Sequence, residues 1–108
     1  MVAREERKVV TPGRLKVTRG LLKFCSDHAL PDAYLSELKA CLSALEQKDI
    51  GRVSRQVQFL SHAGMGSFLD WVPTATFEHE NAEYVDTIWQ ALLGHWLAIM
   101  RVFRPTEV

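Results

Sequence analysis

Along most of this chain apolar residues return every three or four positions, the period of a helix with one buried side. Thr11-Pro12 reads as a helix start, because a threonine hydroxyl caps free amides and proline lacks the N–H that the first turn leaves unpaired. The helix that follows runs to about His28 on Leu15, Leu22, Cys25 and Ala29, widened by Leu21 and Phe24 and weakened slightly at Gly20. Leu30-Pro31 interrupts it, since a residue before proline is driven from helical angles, and Pro31-Asp32 begins a second helix with an acid in its first turn. Leu35, Leu38, Leu42 and Leu45, with Cys41 alongside, carry this helix from about Pro31 to Lys48. The same rhythm would put Asp49 and Arg52 in the core, whereas the next apolar set is Ile50, Val53, Val57 and Leu60. That slip of phase predicts a break at Asp49-Ile50-Gly51 and a third helix beyond it.

The fourth pattern is the longest. Val85, Trp89, Leu92, Trp96, Ile99 and Phe103 form one seam, widened by Ile88, Leu93, Leu97 and Met100. It predicts a helix of about 22 residues, roughly 33 Å long, packed against several neighbours. Trp71 to Phe77 is the one stretch that reads as a short extended piece. The expected architecture is therefore all-α: a single-domain bundle of about four helices over residues 11–108, the C-terminal helix longest, preceded by an aperiodic, flexible arm at residues 1–10.

Composition agrees with one globular core, because 108 residues that are 47% hydrophobic and 24% charged are too few for two cores and too apolar for a disordered chain. Tyr84 to Phe103 is too interrupted to span a bilayer: its uncharged run, Thr87 to Met100, falls short of the roughly 18 to 20 residues required. No leader pattern follows Met1, so a cytoplasmic location is expected. Cys25 and Cys41 stand in separate helical patterns without a CxxC and read as buried reduced thiols.

Charge changes the picture more. The net charge is zero, yet up to Lys23 the basic residues Arg4, Arg7, Lys8, Arg14, Lys16, Arg19 and Lys23 face only Glu5 and Glu6. Between Arg55 and Arg101 lie Asp70, Glu78, Glu80, Glu83 and Asp86 with no lysine or arginine among them. The chain has a basic front and an acidic back.

The most unusual segment is Ala63-Gly64-Met65-Gly66-Ser67-Phe68-Leu69-Asp70-Trp71. Gly64 and Gly66 permit unusual backbone angles, and Ser67 with Asp70 three positions on resembles a capping box, so Gly64, Gly66, Ser67 and Asp70 read as a structural corner. An anion-binding loop is the competing interpretation, but no Gly-Lys-Ser/Thr signature accompanies it and Asp70 would repel phosphate. The segment resembles small bacterial helical domains of unknown function that carry Gly-Met-Gly-Ser-[Phe/Leu]-Asn-Asp before a C-terminal helix. Gly64, Met65, Gly66, Ser67, Phe68 and Asp70 match, and Leu69 replaces the asparagine. The resemblance implies a bacterial origin and a helical fold with no assigned activity, and more loosely a kinship with immunity proteins.

Other candidate chemistry is sparse. His79 and Glu83 stand one helical turn apart, with Glu80, His62 or Asp70 as further ligands, yet a pair is not a metal site, and no metal or cofactor is expected. Ser67 with His62 or His79 and Asp70 lacks the G-x-S-x-G elbow of a hydrolase. His95, beside the apolar seam, reads as a buried histidine with one hydrogen bond. Lys16, Arg19 and Lys23 would line one face of the first helix, a stripe that phosphate favours, but the neutral total and the acidic back argue against nucleic acid as the partner. What remains is a protein-interaction module, immunity-like or accessory, engaging a protein partner or a second copy. Its candidate contact residues are Glu78, Glu80, Glu83 and Asp86 with the aromatics Phe68, Trp71 and Phe77. A small-ligand binder or enzyme built on the Gly64–Asp70 corner, and a nucleic-acid binder built on the first helix, are the alternatives.

Overall fold

The computed structural model describes residues 10–62 and 68–103. Four helices account for more than half of the chain: α1 (Pro12–Asp27), α2 (Asp32–Glu46), α3 (Ile50–Ser61) and α4 (Ala82–Ile99). Single 3-10 turns at Phe68–Asp70 and Arg101–Phe103 complete the described elements, which include no strand. The segment from Trp71 to Thr76 is irregular. The fold is all-α, and α4 is the longest helix at 18 residues.

Three of the four helices begin where the sequence supplies a side-chain acceptor. Thr11 Oγ1 accepts from the Arg14 amide at 3.2 Å, Asp49 Oδ1 from Arg52 at 3.2 Å, and Asn81 Oδ1 from Tyr84 at 2.8 Å. Pro31, the helix start read from the sequence, occupies the cap of α2 one position before the helix and offers no side-chain bond. The ends of α1 and α2 share one design. Ala29 and Lys48 adopt left-handed backbone angles (φ 62° and 59°), and the next amide reaches back five residues, Leu30 to the Cys25 carbonyl and Asp49 to the Ala44 carbonyl. Asp49 thus closes α2 with its backbone and opens α3 with its side chain, which is the physical content of the phase slip.

Helix α1 packs against both α2 and α4, and α2 packs against α3. The 3-10 turn at Arg101–Phe103 closes back onto α3, and so does the turn at Phe68–Asp70. The space between is filled by Leu21, Leu38, Leu45, Leu60, Trp89 and Trp96, all fully buried. Each such leucine contributes about 1.5–3 kcal/mol of burial. Phe68 meets Trp89 edge-on at 5.5 Å and Trp96 at 6.4 Å, so bulky rings bridge α4 to the far side of the bundle. Trp96 donates its indole N–H to the buried hydroxyl of Thr18 at 3.0 Å, a tie between α4 and α1 that satisfies both polar groups.

Several expectations need correction. The buried positions of α4 are Val85, Trp89, Leu93 and Trp96, continued by Met100 and Phe103, whereas Leu92 and Ile99 are half-buried. The real seam is thus rotated around the helix from the one the spacing picks out, with Leu93 and Met100 in place of Leu92 and Ile99. His95 is exposed, at a hollow it lines with Arg14, Val17 and Ile99 beside the start of α1, and is not a core histidine. Val10, placed in the arm, packs into the core at 9% exposure; the rest of the arm lies outside the described residues. Cys25 and Cys41 are free and fully buried, and burial pushes both thiols up to about 12, which leaves them un-ionised at neutral pH. No helix of the described residues is long and apolar enough to cross a membrane.

Candidate interaction site

The connection between α3 and α4 comes to rest against the C-terminal end of α1, and a buried ion pair makes the join. His28 caps α1. The Phe24 carbonyl accepts two bonds there, one from the His28 backbone amide at 3.1 Å and one at the ring Nδ1 at 2.8 Å. The other ring nitrogen, Nε2, lies 2.9 Å from Glu80 Oε2. A carbonyl and a carboxylate can only accept, so both contacts are hydrogen bonds only when the ring is doubly protonated, an imidazolium. The negative end of the α1 dipole favours that charge. Side-chain exposure is 4% for His28 and 6% for Glu80, so solvent screens the pair little.

Glu80 divides its two oxygens. While Oε2 faces His28, Oε1 accepts the amides of Thr76 at 2.9 Å and Phe77 at 3.0 Å, and the Glu80 amide returns to the Phe77 carbonyl at 3.0 Å. One carboxylate therefore folds the turn Thr76–Glu80 and fastens it to α1. Burial works against the charge on each partner and is overcome on both. The Phe24 carbonyl, Glu80 and Asp27 raise His28 above its ordinary value of 6.5, while the Phe77 and Thr76 amides and His28 hold Glu80 down at about 2.

Aromatic rings continue outward from this pair. His28 lies stacked on Phe24 at 4.1 Å, and Phe24 on Trp89 at 5.9 Å, with Trp71 edge-on against Trp89 at 4.9 Å. On the solvent side Phe77 meets His28 edge-on at 5.7 Å, His79 stacks on Phe77 at 6.2 Å, and Tyr84 meets His79 at 5.9 Å. Phe77 and Tyr84 are each 45% exposed, with exposed Glu78, Glu83 and Asp86 close to them in sequence on the same turn and the first turns of α4. The result is a solvent-facing strip of three rings, Phe77, His79 and Tyr84, flanked in the chain by carboxylates and anchored from behind by a buried ion pair.

The residues read as contact candidates separate accordingly. Phe77 lies in the strip, and Glu78, Glu83 and Asp86 are exposed on the turn and the first turns of α4 that carry it. Trp71 is half-buried against Trp89. Phe68 is 1% exposed, its ring occupied by Trp89 and Trp96, and Glu80 is turned inward to His28, so neither presents a side chain to a partner. Of the corner, Gly64, Gly66 and Ser67 lie outside the described residues, and Asp70 is exposed at the end of its 3-10 turn. His79 is engaged with rings and Glu80 with His28, and no three metal-ligating side chains gather among the described residues. Three cations of α1 have partners in their own chain: Arg14 donates to the Ile99 carbonyl at 2.7 Å, while the exposed Arg19 and Lys23 pair at the surface with Glu46 at 3.3 Å and Asp27 at 3.0 Å; Lys16 is exposed as well.

The residue that sequence reasoning missed is His28. Its partner is 52 positions away, so no local pattern names the pair. The one available signal was a histidine in the last turn of a helix, where a cation is favoured. No family model, no curated protein and no solved structure matches the chain.

Proposed function

We propose that this chain is a protein-interaction module, accessory or immunity-like in type, that docks a basic partner protein on the strip formed by Phe77, His79 and Tyr84. What carries this reading is that the aromatic residues on the surface are held rigid: the turn that bears Phe77 and His79 is folded by Glu80 and fastened to α1 by His28. Rigid rings bury area at low entropic cost and make good anchors. Glu78, Glu83 and Asp86 supply a negative rim that would steer an oppositely charged surface onto them. A different protein suits this face better than a second copy, because Arg14, Arg19 and Lys23 of α1 are already engaged within their own chain. The same engagement thins the positive stripe that nucleic acid would need.

A displayed peptide library selected against the protein at low salt tests the reading. The expected binders combine an apolar anchor with lysine or arginine. Their association should slow by about tenfold or more on joint Glu78→Lys, Glu83→Lys and Asp86→Lys substitution, and should lose most of its salt dependence. Binders that lack basic residues, or that bind the substituted protein equally fast, would contradict it.

A further inference from the structure

The buried pair does more than hold a shape, because the bonds of the His28 ring to the Phe24 carbonyl and to Glu80 cannot both be made without its second proton. Glu80 makes three contacts of two kinds. The bonds from Thr76 and Phe77 lie within the turn, whereas the bond to His28 joins the turn to α1. A neutral imidazole has one N–H for two acceptors. If it keeps Nδ1–H on the Phe24 carbonyl, a lone pair points at the Glu80 carboxylate; if it keeps Nε2–H on Glu80, a lone pair points at the carbonyl. Either way one contact of less than 3 Å becomes repulsive inside a nearly dry site. Internal bonds of the turn do not involve the histidine and survive.

We propose that the His28–Glu80 contact is a proton-dependent clasp: the doubly protonated ring holds the turn Thr76–Glu80 against the end of α1, and loss of that proton frees the turn as an intact unit. Phe77 and His79 travel with it, since both belong to the turn. The proposal goes beyond the docking reading and stands whether or not the face has a partner. The charged groups acting on the ring among the described residues are Glu80 from the connecting segment and Asp27 from α1, the latter itself paired with Lys23. From α4 comes only the Trp89 ring, through Phe24, and on the outer side Phe77 separates His28 from His79. Both carboxylates favour the proton, so release belongs on the alkaline side of an ordinary histidine.

NMR on the unsubstituted protein, carried from about pH 5.5 to about pH 9.5, tests the clasp directly. The imidazole nitrogen shifts report the proton on His28, cross-relaxation between the Phe77 and His28 rings reports the join, and amide exchange at Thr76 and Phe77 reports the turn. The expected result is that the Phe77–His28 contact fades with the same midpoint as the His28 titration, above 6.5, while Thr76 and Phe77 stay protected. Glu80→Gln should lower the midpoint by about one pH unit or more, since it removes the opposing charge. A His28 ring that is neutral at the acidic end, or a Phe77–His28 contact that persists unchanged after deprotonation, would overturn the proposal. Loss of Thr76 and Phe77 protection together with the contact would overturn the intact-unit claim. Should Glu80→Gln fail to fold, the titration of the natural chain decides.

Discussion

A histidine at the end of a helix is ordinarily a mild asset, worth a few tenths of a kcal/mol through the helix dipole. His28 is more than that because its second nitrogen finds a buried carboxylate. The sign of its contribution follows from the two shifts. His28 is raised above 6.5 in the folded chain, so its stabilisation is complete below about 6.5 and disappears as pH climbs through the raised value. Glu80 is lowered from 4.5 to about 2, so its contribution is complete above about 4.5 and disappears as pH falls toward 2. The pair is therefore fully active between about pH 4.5 and 6.5. Thermal unfolding of the natural chain and of Glu80→Gln across pH should show the largest gap in melting temperature inside that window and a narrowing gap on either side. A gap independent of pH would mean that the carboxylate acts only as a neutral acceptor. None of this was legible at the level of single residues. Glu80 looked like one member of an acidic run, and nothing local separates it from Glu78 or Glu83; only the fold turns it inward.

At the scale of elements the sequence was far more readable, because helical period and capping chemistry are local. The three side-chain caps, the break at Asp49 and the four helices all follow from neighbours within a few positions. What local reasoning could not supply was the rotation of α4. Its apolar surface is wide enough that Leu92 and Leu93, or Ile99 and Met100, fit the spacing equally, and the packing of α4 in the bundle, above all against α1, decides between them. The helix ends hold a testable mismatch between residue and backbone. Ala29 and Lys48 sit at left-handed angles that favour glycine, while Gly20 and Gly94 stand exposed inside helices with nothing within 4 Å of an added Cβ. Ala29→Gly and Lys48→Gly should each stabilise by about 1 kcal/mol, and Gly20→Ala and Gly94→Ala by about 0.5–1 kcal/mol. Urea midpoints read all four. Destabilisation by the Gly94 change would show that this exposed face of α4 is already in use as a close-packing surface.

Over the whole molecule the sequence announced a charge asymmetry, and folding redistributes what that asymmetry means. Arg14, Arg19 and Lys23 of α1 are engaged with a carbonyl of α4 and two nearby carboxylates, whereas Glu78, Glu83 and Asp86 are exposed and close in sequence to exposed rings. The order in which helices pack, with α1 between α2 and α4 and the C-terminal turn closing on α3, depends on contacts between distant parts of the chain and could not be read from periodicity. That order brings the end of α1 beneath the turn before α4 and so creates the face. An open groove of about 340 Å³ lined by Tyr34, Gln58, Phe59, His62 and Phe68 offers a rival surface elsewhere on the bundle, apolar but without a negative rim on its lining residues. The measurement that separates the two is a map of amide shifts on adding a library-selected basic peptide at low salt. The largest changes should centre on Phe77, His79, Glu83 and Tyr84 and vanish on the joint Glu78→Lys, Glu83→Lys and Asp86→Lys substitution. Changes centred instead on Tyr34, Phe59 and His62, unaffected by that substitution, would contradict the assignment of the docking face.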